Sequence, residues 1–216
     1  DAHGRWRVTL PAMNADGPFE LTVRSGAHAK TFRDVFVGEV WLAAGQSNMA
    51  FRFRLSDPTD QAAVLRSLDE HNVRAFVVPK IVSGGKLLEK DDEPWHVAGV
   101  NSIADWSAVG VYFSQAPRLE KNVAIGIIDA SQGSSTIEAW MSEAALADAK
   151  AAGYVPAKSY EDIRRHYRNP TVLHQSMLSK VVPYGVRGVL WYQGESNASD
   201  AASYERLLPA LIRNWR

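Results

Sequence analysis

The fold of this chain is decided by residues 35–49, which read "VFVGEVWLAAGQSNM". The first ten of these residues are mostly apolar, which is typical of a buried strand. One glycine follows, and then Ser47 stands between two amide side chains, Gln46 and Asn48. Open α/β sheets bind ligands at the carboxyl ends of their strands, so Ser47 occupies a position where such a sheet places functional groups. A polar turn in which Ser47 caps the next helix would have the same composition, and these residues alone do not decide between the two.

Composition excludes several classes of protein. Of the 216 residues, 46% are hydrophobic and 22% are charged, as in ordinary globular domains. Lys+Arg and Asp+Glu both number 24, so the net charge of zero gives no electrostatic reason to expect nucleic acid or an anionic membrane as a partner. No apolar run approaches the roughly 20 residues of a membrane span. The absence of cysteine excludes thiol catalysis, and we expect neither a metal nor another cofactor because no cluster of metal ligands is visible.

Residues 1–34 have the pattern of β-structure. Alternating apolar and polar side chains predict strands at residues 6–10 and 19–23. Two or three short strands do not bury a core of their own. We therefore assign residues 1–34 to the tail of an N-terminal β-domain and residues 35–216 to the main domain.

From residue 35 onward, strands and helices alternate. Apolar runs predict further buried strands at residues 73–78, 123–128 and 188–192. Helices are predicted over residues 58–70, 107–120, 142–153, 172–181 and 204–215. Asp57 is the predicted N-cap of the first of these helices, and Ser142 is that of the third. Residues 80–104 lack a clear period and predict a long loop. Strands separated by helices pair in parallel through right-handed crossovers, so the predicted fold class is α/β, with a three-layer α/β/α sandwich.

The final helix runs to Arg216 with no Gly, Asn or Pro beyond it. An α/β sheet normally follows such a helix with another strand. We therefore expect that the C-terminal part of the domain is missing from these 216 residues.

Three of the predicted strands end in loops of similar composition. These loops are Gly45-Gln46-Ser47, the stretch from Asp129 to Thr136, and the stretch from Trp191 to Asn197. In a parallel sheet they emerge at one edge and converge on a single crevice lined by hydroxyls, amides and glycine-flanked N–H groups. Acyl transfer needs such a place, because it requires a nucleophilic hydroxyl and hydrogen-bond donors aimed at the developing oxyanion.

The second and third loops offer candidate groups for that chemistry. Gly133 would let the backbone approach a substrate oxygen because it has no Cβ. Gln193 could add a side-chain N–H donor, and Glu195 could accept a hydrogen bond or hold the loops together. A turn glycine and polar strand ends would explain each residue taken alone, whereas the agreement of all three strand ends favours a site.

The sequence resembles the sialate O-acetylesterase family of carbohydrate esterases, within the SGNH hydrolase superfamily. The matching stretches are "DVFVGEVWLAAGQSNMAF", "GIIDASQGSSTIEAW" and "GVRGVLWYQGESNA". The opening "RWRVTLPAMNADGPFELTV" resembles the end of the β-domain that precedes the hydrolase domain in that family. The resemblance covers nearly the whole chain and implies the flavodoxin-like SGNH hydrolase fold.

The resemblance also implies a role for individual residues. Ser47 would be the nucleophile. The backbone N–H groups of Ser47 and Gly133 would hold the oxyanion, and Gln193 stands in the position of the third donor. Four further residues would line the site: Gln46, Asn48, Gln132 and Glu195.

This chain lacks the sequence motif that carries the general base in the family. The resemblance implies a histidine in an Asp-x-x-His motif near the C-terminus, but no histidine of this chain has an aspartate three residues before it. His96, in the predicted long loop, and His174, in "PTVLHQSML", are the in-chain candidates. We expect instead that the histidine and its aspartate lie beyond Arg216, in a missing segment or on a second chain produced by cleavage.

These observations predict a serine esterase that removes O-acetyl groups from a carbohydrate, either acetylated sialic acid or an acetylated polysaccharide, through an acetyl-enzyme on Ser47. A non-catalytic carbohydrate-binding module on a hydrolase fold is the alternative that the missing base favours. A serine hydrolase acting on a non-sugar ester is a third interpretation. The resemblance implies a periplasmic or extracellular protein, whereas the residues themselves leave the compartment open.

Overall fold

A computed structural model describes residues 6, 8–68, 72–80, 94–121, 123–156 and 160–216. The strands are β1 Asp16–Ser25, β2 His28–Gly45, β3 Val73–Val77, β4 His96–Val97, β5 Ala124–Ser131 and β6 Gly188–Tyr192. The α-helices are α1 Pro58–Ser67, α2 Ala108–Lys121, α3 Glu143–Ala151, α4 Val172–Ser176 and α5 Ala201–Trp215. Short 3-10 helices cover Phe53–Leu55, Ile103–Asp105, Ile137–Trp140, Ile163–Arg168, Leu178–Lys180 and Glu195–Asp200. Across the described ranges, no helix is long and apolar enough to cross a bilayer.

Strand β2 lies at the centre of the sheet. It pairs in parallel with β5 on one side and with β6 on the other, and β5 pairs in parallel with β3. The short β4 closes the β3 edge in the antiparallel direction. The register places Gly45 of β2 opposite both Ser131 of β5 and Tyr192 of β6, so the carboxyl ends of three strands lie side by side. The parallel pairing predicted for the alternating strands and helices is confirmed.

Two hydrophobic cores lie on opposite faces of this sheet. Leu42 and Ile128 point to the core shared with α3, α4 and α5, whereas Ala43 and Ile127 point to the core shared with α1 and α2. Side chains alternate along a strand, so neighbouring residues of β2 and β5 face different helices. The result is a sheet between two helical layers, as the alternation of elements predicted.

Local sequence signals set the beginnings of two helices. Asp57 Oδ1 accepts hydrogen bonds from the backbone N–H of Thr59 at 2.8 Å and of Asp60 at 3.4 Å, directly before α1. Ser142 Oγ accepts from the N–H of Ala145 at 3.1 Å at the start of α3. Both caps satisfy backbone donors that have no partner within the helix, and both were predicted.

The N-terminal region differs from its prediction in one respect. Strands β1 and β2 form an antiparallel hairpin, and the predicted strand at residues 19–23 lies within β1. The predicted strand at residues 6–10 is wrong, because Trp6 and residues 8–10 are exposed and lie outside any strand. Alternation produces a strand only where a neighbouring strand takes up its backbone hydrogen bonds. The predicted domain boundary between residues 34 and 35 falls inside β2, beside a register shift and the positive φ of 60° at Asp34.

Helix α4 is shorter than predicted. It ends at Ser176, and Met177 is its C-cap, with a φ of −115° and a ψ of −56°. Ser176 Oγ donates to the carbonyl of Val172 at 2.5 Å, four residues earlier. Hydroxyl groups that bond in this way compete with the helix ladder and bend helices. Of the predicted loop, β4 occupies part, and residues 81–93 lie outside the described residues.

Candidate active site

The loop that carries Ser47 is anchored to both neighbouring strands. The N–H of Gln46 donates to the carbonyl of Tyr192 at 2.9 Å, and the N–H of Gln132 donates to the carbonyl of Gly45 at 3.0 Å. Gly45 has a φ of 148°, and a Cβ at this position would lie 2.1 Å from the carbonyl oxygen of Tyr192. Glycine is therefore required here both by conformation and by space. The turn that follows leaves Ser47 exposed at the sheet edge.

Gln46 is the residue that joins this loop to the one after β6. Its side chain is buried, with 3% of the residue exposed. Its Oε1 accepts from Nε2 of Gln193 at 3.1 Å, from the N–H of Gly194 at 3.4 Å and from the N–H of Ser196 at 3.1 Å. A single carbonyl oxygen thus fixes the β6 loop against the residue next to Ser47.

Gln193 lies in the loop after β6, beside Gln46, and its amide is already hydrogen-bonded within the protein. Nε2 lies 3.1 Å from Gln46 Oε1, 3.1 Å from the carbonyl of Ser135 and 2.8 Å from Asn197 Oδ1. An amide nitrogen carries two protons, so these three acceptors within the protein share both of them. Donation from Gln193 to a bound oxyanion would require one of these bonds to be exchanged.

The remaining predicted lining residues lie at the rim. Asn48 and Glu195 are both exposed, and Asn48 Nδ2 donates to Glu195 Oε1. This bond links the Ser47 loop to the β6 loop on the solvent side. Gln132 Nε2 donates to the carbonyl of Gly133 at 3.4 Å, which keeps that side chain along its own loop.

Gly133 lies in the turn after β5, and the space beside its Cα is not occupied by other residues. A Cβ at this position would meet no atom within 4 Å. Within the part of the chain that the structure describes, the N–H groups of Ser47 and Gly133 have no hydrogen-bond partner. Two unengaged donors therefore belong to the two loops that the bond between Gln132 and Gly45 holds together.

None of the described histidines, at positions 28, 96, 166 and 174, is hydrogen-bonded to Ser47. His96 is exposed in β4, opposite Ala75 of β3. His174 is half-buried in α4, where burial lowers the pKa of its imidazole. His3 and His71 lie outside the described residues.

A buried carboxylate and amide support the site from below and were not predicted. Asn197 Oδ1 accepts from the N–H of Ile137 at 3.0 Å, and its Nδ2 donates to Glu138 Oε2 at 2.9 Å. Tyr154 donates its hydroxyl to Glu138 Oε1 at 3.3 Å. Glu138 stands between apolar neighbours in the sequence, and a charge in an apolar run is the signal that could have indicated a buried, partnered carboxylate.

This arrangement has the elements that acyl transfer uses. It presents an exposed hydroxyl, two unengaged backbone donors on adjoining loops, and a buried network that fixes the loops before a ligand arrives. Donors that are held in place without reorganisation stabilise developing negative charge better than mobile ones.

Comparison with known proteins identifies relatives of this chain. A family model described as carbohydrate esterase, sialic acid-specific acetylesterase, matches residues 37–216. The sialate O-acetylesterase of Homo sapiens is 30% identical over 229 residues, which cover 98% of this chain and 42% of the human protein. That of Mus musculus is 29% identical over 255 residues, which cover 98% of this chain and 46% of the mouse protein. This chain thus spans less than half the length of these relatives.

A solved structure is also similar. The crystal structure of a carbohydrate acetylesterase from Xanthomonas citri matches with a TM-score of 0.84 and 36% identity, covering 100% of this chain and 47% of that one. The predicted SGNH-like α/β fold is confirmed by this similarity.

Proposed function

This chain belongs to the family of carbohydrate esterases described as sialic acid-specific acetylesterases, and we propose that it removes O-acetyl groups from a carbohydrate by way of an acetyl-enzyme on Ser47. Ser47 Oγ attacks the acetyl carbonyl and forms a tetrahedral intermediate. Collapse of that intermediate releases the sugar hydroxyl and leaves the acetyl group on Ser47. Water then attacks the acetyl-enzyme and releases acetate.

The oxyanion is held, in this proposal, by the N–H groups of Ser47 and Gly133. Both belong to loops that are fixed to each other by the 3.0 Å bond from Gln132 N–H to the carbonyl of Gly45. This fixed pair of unengaged donors beside an exposed hydroxyl is the observation that carries the proposal. Gln193 adds a third donor if it exchanges its bond to the carbonyl of Ser135 for one to the oxyanion.

The proton of Ser47 needs a base. A serine hydroxyl is a weak nucleophile without one, and loss of a triad member costs several orders of magnitude in rate. We propose a histidine oriented by an aspartate, both outside the described residues, on this polypeptide or on a second chain. His96 and His174 are the in-chain alternatives, and neither contacts Ser47.

Two substrate classes fit the proposal, acetylated sialic acid and acetylated polysaccharide. The mammalian relatives are named sialate O-acetylesterases, which favours acetylated sialic acid. The Xanthomonas citri protein is described as a carbohydrate acetylesterase, without a named sugar. Periplasmic or extracellular location is part of the proposal and rests on the family resemblance alone.

The test is hydrolysis of para-nitrophenyl acetate, O-acetylated sialic acid and acetylated xylan by the full-length protein, purified together with any second chain that it binds. Ser47→Ala should lower kcat/KM by about a thousandfold or more. Ser179→Ala, which changes an exposed serine away from the strand ends, is the matched control and should match the wild type. Turnover that survives in Ser47→Ala would overturn the proposal, as would sugar binding without turnover in the wild type.

A further inference from the structure

A buried ion pair lies beneath the loop that carries Ser47, on the side of the sheet that faces α1 and α2. Its carboxylate is Asp129, near the carboxyl end of β5, of which 1% is exposed. Asp129 Oδ1 accepts from Ser131 Oγ at 2.6 Å, and the backbone N–H of Ser107 at the start of α2 helps to lower the pKa of the same carboxyl. The backbone carbonyl of Asp129 accepts from the N–H of Val78 at 2.9 Å. Asp129 therefore joins the ends of β3 and β5 to the start of α2.

The cation of the pair comes from the nucleophile loop itself. Arg52 stands five positions after Ser47 in the sequence. Its Nη1 lies 3.4 Å from Asp129 Oδ2 and donates to the carbonyl of Asp105 at 2.6 Å. The Arg52 side chain is 23% exposed, so this guanidinium is largely withdrawn from water.

The backbone around Arg52 is held by the residues before α2. The N–H of Phe53 donates to the carbonyl of Trp106 at 3.0 Å, and the N–H of Ala108 donates to the carbonyl of Phe51 at 2.8 Å. Met49 is buried, and its sulfur accepts a hydrogen bond from the hydroxyl of Ser107 at 3.4 Å. Backbone hydrogen bonds thus attach this segment to the residues before α2. The Arg52 side chain attaches the same segment to the sheet through Asp129.

The charges around the pair indicate that the Arg52 guanidinium helps to stabilise the buried carboxylate of Asp129. Burial raises the pKa of Asp129, and the hydrogen bond from Ser131 and the charges of Lys80 and Arg52 oppose that effect. Burial also lowers the pKa of Lys80, which is the other cation whose charge acts on Asp129. A buried carboxylate that loses its cation is strongly unfavourable, so Asp129 holds Arg52 in one place.

We propose that Arg52 and Asp129 are positioning residues for the nucleophile, acting through residues 47–52. The inference rests on the proposed function, because it assigns the pair the task of keeping Ser47 aligned with the oxyanion donors. Neither residue touches the reacting atoms. A small displacement of Ser47 would move its hydroxyl relative to the N–H of Gly133, whereas the loops after β5 and β6 would stay in place.

The kinetic test compares Arg52→Met with Arg54→Met. Arg54 lies on the same segment, is 53% exposed and pairs with Asp105 at the surface, so it is the matched control. Arg52→Met should lower kcat by about tenfold to a hundredfold and change KM by less than about threefold. Arg52→Lys, which keeps the charge, should recover part of that kcat, and Arg54→Met should match the wild type. Combining Arg52→Met with Asp129→Asn should cost no more than the worse single change, because the two residues act as one unit.

A second measurement separates this inference from the proposed function. Hydrogen–deuterium exchange should become at least about tenfold faster at residues 46–53 in Arg52→Met, with the strands β2 and β5 unchanged. An equal effect of Arg54→Met, exchange that rises uniformly over the chain, or a loss confined to KM would overturn the positioning role. If the wild type hydrolyses no acetyl ester, the proposed function fails, and the exchange result still decides whether the pair holds the loop.

Discussion

The side-chain nitrogen of Gln193 lies 3.1 Å from Oε1 of Gln46, although the two residues are 147 positions apart in the chain. This bond joins the loop after β2 to the loop after β6. Because Gln46 Oε1 also accepts from two backbone N–H groups of the β6 loop, the two loops form one unit beside Ser47. A site built this way is ordered before a substrate arrives, which is the condition for electrostatic stabilisation of an oxyanion.

Replacement of Gln46 by leucine should destabilise the protein. The leucine fills the space but leaves the N–H groups of Gly194 and Ser196 without the acceptor that Gln46 Oε1 provides. The amide of Gln193 keeps its other two acceptors. Each buried donor left unsatisfied costs about 1–3 kcal/mol, so we expect Gln46→Leu to lower the free energy of unfolding by about 3 kcal/mol. Urea denaturation at 25 °C measures the change.

The control for Gln46→Leu is Gln175→Leu, an exposed glutamine on α4. A surface substitution of this kind should alter the free energy of unfolding by less than about 0.5 kcal/mol. Equal losses in the two variants would show that the buried acceptor has no special role in stability.

The two glycines of the site should respond differently to alanine. Gly45→Ala places a Cβ against the carbonyl of Tyr192 at a positive φ, so the strand ends must separate. We expect the free energy of unfolding to fall by about 2 kcal/mol or more, as measured by urea denaturation.

Gly133→Ala, in contrast, adds a Cβ that meets open space. Stability should stay within about 0.5 kcal/mol of the wild type. If the N–H of Gly133 faces the substrate oxygen, the methyl group will crowd that approach, and kcat for para-nitrophenyl acetate should fall by about tenfold or more. A Gly133→Ala variant with unchanged stability and unchanged kcat would remove Gly133 from the oxyanion site.

His174 should make stability depend on pH. Burial lowers the pKa of this histidine below its ordinary value of 6.5, so the unfolded chain takes up a proton at a pH where the folded protein does not. The corresponding stability is present above the unfolded pKa and is lost as the pH falls toward the folded pKa. Urea denaturation between about pH 7.5 and 5.5 should therefore show the wild type losing stability relative to His174→Phe. A difference between the two proteins that is constant over this range would contradict the assignment.

Features that depend on neighbouring residues in the sequence could be predicted. Asp57 and Ser142 begin helices because their side chains reach N–H groups two or three residues away. The apolar stretch ending at Ala44 forms the central strand, and its last three residues, Leu42 to Ala44, are buried between the two helical layers. The adjacency of the loops that carry Ser47 and Gly133 could also be predicted, since parallel pairing of β2 with β5 brings the carboxyl ends of these strands together.

Features that depend on distant side chains could not be predicted. Asn197 and Glu138 are 59 positions apart, and no local pattern indicates that an amide of one loop meets a carboxylate of another. The hydrogen bonds of Gln193 could not be predicted for the same reason. Its side chain suggested a free donor, but two of its three acceptors, Gln46 and Ser135, lie on other segments. The strand expected at residues 6–10 failed because alternation alone does not supply a pairing partner.

The most direct test of the proposed mechanism is to identify the covalent intermediate. The protein is quenched with acid during hydrolysis of an acetyl ester, digested, and examined by mass spectrometry, with Ser47→Ala treated in parallel. We expect an acetyl group on Ser47 in the wild type and none in the variant. Turnover in the wild type with no acetyl group on Ser47, or with the acetyl group on another residue, would contradict the mechanism.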